Sequence, residues 1–264
     1  MTFLISVAGR QWRIQCLMRL VVYNIRYATG TGKAFHLPLP GAGYLRGNPA
    51  VLDGIAEFLR ELKPDLVGLI EVDAGSLRAK RVNQADYIAD RLGHYSAYAC
   101  KYAVGSLNSR MPIINKQGNA FLASPRVHGE RFHFFDTGIK RLIIELELEE
   151  CAVFLVHLSL KYRHRQEQLR HLHRLVKAST KPVIVAGDFN TFWGDAEIYL
   201  FTQAAGLRSA NVTGLPSYPS REPRWELDFI LVSEQIEVTG FEVPEVDWSD
   251  HRPLVCDFTV RPPV

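Results

Sequence analysis

Polar residues that can act as acids, bases or metal ligands recur where apolar runs of the sequence end. The run VVYN ends in Asn24, LVGLIE ends in Glu71, and VFLVH ends in His157. A polar side chain beside a buried strand costs free energy unless it is paired, so a single case is usually a cap or a turn residue. Repeated cases that share carboxylate, carboxamide and imidazole groups favour a common site instead.

The second half of the sequence repeats this pattern. VIVAGDFN ends with Asp188 and Asn190, ELDFILV opens near Asp228, and WSDHRPL brings Asp250 and His251 before the last apolar run. In an extended chain, residues two apart project to the same side, so Asp188 and Asn190 face together. Because ligands of α/β folds bind at strand ends, the pattern predicts one site suited to acid–base or metal chemistry.

The apolar runs themselves predict the elements that position these side chains. They alternate with amphipathic segments, and their valine, isoleucine and leucine content is typical of buried strands in an α/β domain. Strands are predicted at residues 19–24, 66–71, 119–123, 141–148, 153–157, 182–186, 227–232 and 254–260. Helices are predicted at residues 50–62 and 165–178, with further helical candidates at 82–92 and 195–205.

The sequence predicts one globular α/β domain, because it has no obvious linker, although its length alone would allow two domains. The 264 residues are 47% hydrophobic and 22% charged, and the formal net charge of +3 neither requires nor excludes a polyanionic partner. Repeats and low-complexity tracts are absent from the sequence. We predict an N-terminal extension at residues 1–17, a candidate for disorder with Met18 as the natural start, and a single domain at residues 18–264.

The sequence favours a cytoplasmic monomer without stable membrane anchoring. No run approaches the roughly 18 apolar residues that span a bilayer. The N-terminal charges follow the short apolar patch, whereas a secretory signal would place them before it. The cysteines lie far apart, and Cys151 and Cys256 fall in or beside apolar runs, so buried thiols are expected rather than a zinc site or disulfides.

The polar motifs occur in an order that resembles the endonuclease/exonuclease/phosphatase superfamily. From residue 19 to residue 260 the order is NIR, IE, GNA, KR, VHL, GDFN, LDFILVS and SDHRPL. The resemblance implies a four-layer α/β/β/α sandwich, in which two packed mixed β-sheets are flanked by helices, and a single catalytic domain at residues 18–264. It also implies hydrolysis of phosphoesters with Mg²⁺ or Mn²⁺, cations that oxygen ligands suit.

The resemblance assigns three residues to the metal. Glu71 would be the first ligand, because the family assigns the carboxylate of this motif to the metal. Asn24 would support the ligand shell through its amide oxygen, and Asp250 would complete it. One departure bears on this assignment: some apurinic endonucleases carry an acidic residue two positions after the motif asparagine, whereas this sequence has Arg26.

The resemblance also implies the catalytic roles. Asp188 would orient or deprotonate the attacking water, and Asn190 would hold that water or a phosphate oxygen. His251 and Asp228 would form an acid–base dyad, because a carboxylate on one ring nitrogen fixes the tautomer and favours the imidazolium. His157 would donate to a non-bridging oxygen and stabilise the transition state.

Further residues are predicted to contact substrate. In relatives an arginine at the motif of Arg141 contacts phosphate, a task that suits the bidentate guanidinium, and Asn119 in GNAFL is assigned a similar role. Arg163 lies in the basic segment after VHL. Trp193 follows GDFN and Trp248 precedes SDH, so both are predicted as cleft walls, although either could be a core aromatic.

Three functional interpretations remain open from the sequence. The segment at residues 91–129 carries basic and aromatic residues but no acidic one, which fits a nucleic acid or another phosphate-rich partner and favours a nuclease or phosphodiesterase. The Gly/Pro-rich loop at residues 29–49 is predicted to shape the substrate cleft. The alternative is a lipid or sugar-phosphate hydrolase similar to sphingomyelinases or inositol phosphatases. The third interpretation is a non-catalytic binding module on the same fold.

Overall fold

The computed structural model of the protein describes residues 4–7, 10–13, 16–31, 47–100, 114–124, 127–138, 140–194 and 196–261. Their strands are β1 (Leu4–Val7), β2 (Arg10–Arg13), β3 (Met18–Asn24), β4 (Leu66–Asp73), β5 (Tyr95–Cys100), β6 (Gln117–Ala123), β7 (Val127–Phe134), β8 (Leu142–Leu148), β9 (Ala152–His157), β10 (Val183–Asp188), β11 (Leu207–Ser209), β12 (Asp228–Ser233), β13 (Ile236–Glu242) and β14 (Leu254–Val260). Their helices are α1 (Pro49–Leu62), α2 (Gln84–Leu92), α3 (Tyr162–Ala178) and α4 (Ala196–Ala205). Most of the loop at residues 29–49 and part of the segment at 91–129 lie outside the described residues.

The strands form two mixed sheets of six strands each and one separate two-stranded sheet. The first sheet has the order β13-β14-β3-β4-β6-β5, and the second has the order β11-β12-β10-β9-β8-β7. Each contains one parallel pair, β3 with β4 and β9 with β10. β1 and β2 pair antiparallel as a separate two-stranded sheet, within the segment predicted to be an extension.

Three layers of buried apolar residues hold the sheets and helices together. Phe121 of the first sheet and Leu155 of the second belong to the core between the sheets. Ile55 packs α1 against the outer face of the first sheet, and Leu172 packs α3 against the outer face of the second. The four-layer α/β/β/α sandwich implied by the sequence is therefore confirmed. Among the described residues, no helix is both long and apolar enough to cross a membrane.

Local sequence sets the bounds of α1 clearly. The Asn48 side chain caps the helix by accepting a hydrogen bond from the backbone N–H of Ala50, and Pro49 occupies the first turn. Lys63 ends the helix in a left-handed conformation. These signals explain why the helix predicted at residues 50–62 agrees closely with the observed one.

The sequence missed the strands at the edges of the sheets. β5, β7, β11 and β13 are the four edge strands of the two six-stranded sheets. β7, with the sequence VHGERFHF, is exposed or half-buried at every position. Because one side of an edge strand is solvated, it lacks the apolar run that reveals a central strand. α3 likewise begins earlier than predicted, at the exposed Tyr162.

Candidate active site

Strand pairing in the second sheet places three of the predicted residues side by side. At the end of β10, Asp188 pairs with His157 of the parallel strand β9 and with Asp228 of the antiparallel strand β12. All three residues are buried. The register of the sheet therefore fixes the spacing of these three groups.

The residue before Asp188 has to be glycine. Gly187 has a φ of 145°, and a Cβ at this position would lie 1.9 Å from the carbonyl oxygen of Val156 on β9. The absence of a side chain lets the two strands approach closely. Gly187, the first residue of the GDFN motif, therefore allows β9 and β10 to approach closely enough for His157 and Asp188 to lie side by side.

Asn24, at the end of β3, connects the first sheet to this cluster. Its Nδ2 donates a hydrogen bond to Asp188 Oδ2 over 3.1 Å, and its Oδ1 accepts one from the backbone N–H of Arg26 over 3.2 Å. The residue is buried. The two sheets therefore meet at the Asp188 carboxylate.

The Asp188 carboxylate is the centre of the arrangement. Its Oδ2 lies 3.2 Å from His157 Nε2 and 3.9 Å from His251 Nε2, and its Oδ1 accepts a hydrogen bond from the backbone N–H of Asn190 over 3.0 Å. Burial acts to raise the pKa of Asp188. The charge and hydrogen bond of His157, with the charges of His251 and Lys140, outweigh burial and hold this pKa well below its ordinary value.

His251 and Asp228 form a second buried pair. Nδ1 of His251 lies 2.7 Å from Asp228 Oδ2, which also accepts a hydrogen bond from the Ser217 hydroxyl over 2.6 Å. Burial acts to lower the pKa of His251, but the charge and hydrogen bond of Asp228, with the charge of Asp188, raise it to about 10. The ring is therefore an imidazolium at neutral pH, and its Nε2 faces Asp188.

A bulge in β4 sets the position of Glu71. The pairing of β4 with β6 shifts register between Leu69 and Val72, and Glu71 has a left-handed φ of 57°. Asn119 on β6 accepts a hydrogen bond from the backbone N–H of Glu71 over 3.3 Å. Glu71 Oε1 lies 4.0 Å from Nδ1 of His157. Left-handed backbone at a non-glycine residue costs on the order of 1–3 kcal/mol, and such strain clusters at functional sites.

A buried charged network lies behind the ends of β3 and β4. Asp73 accepts hydrogen bonds from Arg78 Nε over 3.0 Å and Nη2 over 2.8 Å, and both side chains are fully buried. The Arg78 guanidinium lies 4.1 Å from the centre of the Tyr27 ring. Gln84 accepts from the Asp73 N–H and donates to the Tyr27 carbonyl. The network therefore ties together the two segments that carry the first two predicted metal ligands.

Asp250 is paired with a cation that the sequence did not assign to the site. Nε of Arg26 lies 3.5 Å from Asp250 Oδ2, and the Arg26 side chain is only 6% exposed. The Ser249 hydroxyl donates to Asp250 Oδ1 over 3.2 Å. The arginine in the NIR motif was the signal for this pair. Metal ligation by Asp250 stays a prediction, and ligation would compete with the Arg26 contact.

Asn190 supports the turn that follows β10. Its Nδ2 donates a hydrogen bond to the Leu158 carbonyl over 2.9 Å, and its φ of 54° is left-handed. Its backbone N–H donates to Asp188 Oδ1, as described above. The polar hydrogens of Asn190 therefore hold the Asp188 segment against the segment that follows β9, and its predicted contact with water or phosphate stays a prediction.

The KR motif brings a lysine to the cluster. Arg141, the predicted phosphate contact, is exposed, and its Nε donates to the Gly138 carbonyl over 2.7 Å. Its neighbour Lys140 contacts Nε2 of His157 through Nζ. Sequence reasoning selected Arg141 because arginine suits phosphate, but nothing in the motif itself tells which of two adjacent cations faces inward.

The remaining predicted substrate contacts lie at the surface. Arg163 is exposed on the first turn of α3, and Trp193 is 83% exposed after the GDFN turn. Trp248 packs against α1, where a Cβ added to Gly54 would lie 2.7 Å from its ring. Trp193 is thus available to a ligand, whereas Trp248 also serves the packing of the first sheet's helix.

The oxygen donors of the cluster suit a divalent cation. The amide oxygen of Asn24 and the carboxylates of Glu71 and Asp188 are hard donors of the kind that Mg²⁺ and Mn²⁺ take together with water. The ligand atoms of Asp188, Asp228 and His251 also lie within 4.8 Å of one another. Within the described residues, Asp228 Oδ1 is buried and accepts no hydrogen bond. The residues present therefore fit a divalent metal.

The fold matches solved structures along nearly the whole chain. An endonuclease/exonuclease/phosphatase family protein from Bacteroides thetaiotaomicron superposes with a TM-score of 0.71 at 13% identity, covering 94% of this chain and 96% of that chain. D. rerio TDP2, complexed with a single strand DNA product, superposes with a TM-score of 0.65 at 17% identity, covering 92% and 98%. At these identities the likeness shows the fold, which is DNase I-like.

Sequence comparison then defines the family. Residues 21–251 match the model of the Endonuclease/Exonuclease/phosphatase family, and the chain belongs to that family, as its motif order predicted. Its members are generally hydrolytic phosphoesterases or nucleases and typically depend on a divalent metal. A UPF0294 protein of Vibrio vulnificus (strain YJ016) is 35% identical over 107 residues, which cover 36% of this chain and 34% of that protein's length.

Proposed function

We propose that the protein is a Mg²⁺- or Mn²⁺-dependent phosphoester hydrolase that acts as a phosphodiesterase or nuclease. The observation that carries the proposal is the position of Asp188, whose buried carboxylate lies between His157 and His251 and accepts a hydrogen bond from Asn24. A binding module would gain nothing from burying an ionised carboxylate between two imidazoles, since such burial is costly. A hydrolase needs this arrangement to activate water beside an anion.

In this proposal Asp188 acts on the attacking water. It accepts a hydrogen bond from the water and takes its proton as the new P–O bond forms, while the bond to the leaving oxygen breaks on the opposite face of phosphorus. Asn190 supports Asp188 through its backbone N–H. This hydrogen bond, with that from Asn190 Nδ2 to the Leu158 carbonyl, holds the carboxylate in place for in-line attack.

The two histidines act on the phosphate oxygens. His251, oriented by Asp228, would donate from Nε2 to the developing negative charge. Nε2 of His157 faces Asp188 and Lys140. Donation from His157 to a non-bridging oxygen therefore requires its ring to exchange these contacts for substrate.

We assign Glu71 and Asn24 as the first two ligands of the metal, with Asp250 as the third candidate ligand. A divalent ion bound there supplies charge neutralisation and polarisation of the phosphoryl oxygen. The alternative set of Asp188, Asp228 and His251 is less suited, because Asp228 holds His251 as an imidazolium, whose ring nitrogens are both donors and offer no lone pair to a metal.

A cluster of aromatic side chains beside His251 supports a nucleic-acid substrate. The Tyr218 ring centre lies 4.8 Å from that of His251 and 6.3 Å from that of Trp225, and Phe192 packs against both aromatic rings. Trp225 is 40% exposed. Partly exposed aromatic rings stack on nucleobases, and the structural neighbour TDP2 was solved with single strand DNA product.

A substrate panel tests the substrate class. We expect the purified protein with Mg²⁺ or Mn²⁺ to cleave a nucleic acid with a higher kcat/KM than sphingomyelin or inositol phosphates, in a panel that includes plasmid DNA, abasic duplex and RNA. Trp225→Ala should raise KM by roughly 10-fold, because stacking contributes about 1–3 kcal/mol per base. Tyr199→Ala, which removes an exposed aromatic on α4, is the matched control. Preference for a lipid or sugar phosphate would establish the alternative, and inactivity on every substrate would favour a binding module.

The compartment and assembly state are also proposals. Cys151 and Cys256 are buried free thiols, as predicted. Unpaired thiols suit a reducing compartment. We therefore propose a cytoplasmic location and a monomer, which cell fractionation and size-exclusion chromatography with light scattering would test.

A further inference from the structure

The segment before β8 places a positive charge at the catalytic cluster. Lys140 is half-buried, and its Nζ contacts Nε2 of His157. Its charge also acts on Asp188, whose pKa it helps to lower. Arg141 faces away, bonded to the Gly138 carbonyl. The Lys140 ammonium therefore lies where it can contact an anion bound at the cluster.

Gln168 on α3 holds this segment in place. Its side-chain amide is buried, and Nε2 donates to the carbonyl oxygens of Thr137 over 3.1 Å and Lys140 over 2.7 Å. Its Oε1 accepts a hydrogen bond from the backbone N–H of Ser159 over 2.8 Å. Ser159 follows β9 two residues after His157. One buried amide therefore joins the segment of Lys140 to the segment of His157.

We propose that Lys140 contacts substrate, binding a non-bridging oxygen of the phosphate through its ammonium, and that Gln168 is the residue that positions it. The proposal rests on the proposed hydrolase function. Lysine is a compact point charge on a flexible stem, so it can leave His157 and follow an incoming phosphate. Before substrate binds, Asp188 balances the charge of Lys140. The phosphate contact that the family resemblance assigned to Arg141 thus falls to Lys140.

A purely structural role for Lys140 has different consequences. As a counter-ion of Asp188 alone, Lys140 would affect stability and the pKa of Asp188, and its loss would weaken phosphate binding only through the change in net charge, by much less than the loss of a direct contact. As a phosphate contact, it adds a charged hydrogen bond to the bound anion. Phosphate affinity therefore separates the two roles, and it does so without requiring turnover.

The test measures binding of inorganic phosphate by calorimetry and turnover of bis-p-nitrophenyl phosphate. In Lys140→Met we expect phosphate affinity and kcat/KM each to fall by roughly 10- to 100-fold, the usual cost of losing a hydrogen bond to a charged group. Lys140→Arg keeps the charge and should restore part of both. Lys181→Met removes another half-buried lysine, bonded to Glu147 near the opposite end of β10, and should change neither.

The positioning role of Gln168 is tested by a double-mutant cycle. Gln168→Met should weaken phosphate binding, and Lys140→Met/Gln168→Met should bind no more weakly than Lys140→Met, because the two residues act through one contact. Additive losses would overturn the role of Gln168. Wild-type phosphate affinity in Lys140→Met would overturn the proposal as a whole. If phosphate binding depends on Lys140 but no phosphoester is hydrolysed, the proposed function fails while the Lys140 contact stands.

Discussion

Replacing Asp188 with asparagine is expected to lower kcat by roughly 10²- to 10⁴-fold, the range for losing a general base. Asp188→Asn keeps the shape of the side chain, but the amide takes no proton and carries no charge between His157 and His251. KM should change much less than kcat, because phosphate binding depends on the surrounding cations. Steady-state kinetics on bis-p-nitrophenyl phosphate measures both constants.

The control for this substitution is Asp53→Asn on α1. In contrast to the buried Asp188, the Asp53 side chain is 53% exposed and pairs with Arg91 at the surface, where such a pair contributes little. The Asp53→Asn protein should retain wild-type kcat and KM. Circular dichroism should show that both variants are folded. A folded Asp188→Asn protein with wild-type kcat would remove Asp188 from the mechanism.

The second large effect concerns stability. Arg78→Ala is expected to lower the free energy of unfolding by about 3–5 kcal/mol, because it leaves the Asp73 carboxylate buried without its cation. The network also joins the segments that follow β3 and β4, so affinity for Mn²⁺ should fall with stability if those segments hold the metal. Urea unfolding and Mn²⁺ titration calorimetry measure the two effects.

Two further variants identify the cause of that loss. Arg131→Ala removes a 61%-exposed guanidinium that bridges Glu145 and Glu147, and should cost no more than about 1 kcal/mol. Adding Asp73→Asn to Arg78→Ala removes the unpaired charge and should recover part of the stability. A loss for Arg78→Ala as small as that for Arg131→Ala would show that the buried pair does not stabilise the fold.

The fold could be predicted because its central strands correspond to clear apolar runs in the sequence. Runs such as LVVYN and VIVAGD are apolar on both faces and end in polar residues, which marks both the strand and its functional end. The order of the motifs then fixed the family. The edge strands have no such runs, because half of each is exposed to water.

The site was harder to predict in detail than in outline. The strand-end pattern predicted that His157, Asp188 and Asp228 share one site. They lie side by side because their strands pair in register. The directions of side chains outside the strands could not be predicted from the sequence pattern. Lys140 rather than Arg141 faces the cluster, and the Lys140 carbonyl is bonded to Gln168 of α3, which is distant in sequence.

The ion pairs around the site were equally hard to predict from the sequence. Arg26 stands in the NIR motif after β3, and nothing near it in sequence indicates that it pairs with Asp250 from the opposite end of the chain. Arg78 lies in a polar segment of the sequence, yet it is buried against Asp73 and the Tyr27 ring. Burial of such groups is a tertiary property, because each is covered by segments remote in sequence.

The central claim, metal-dependent phosphoester hydrolysis, is tested most directly by one measurement on purified protein. Hydrolysis of bis-p-nitrophenyl phosphate is followed with Mg²⁺ or Mn²⁺, after addition of excess EDTA, and after the metal is restored. We predict turnover that disappears with EDTA, returns with metal, and is lost in Asp188→Asn protein purified in parallel. Turnover that persists in excess EDTA, or that is equal in wild-type and Asp188→Asn protein, would contradict the claim.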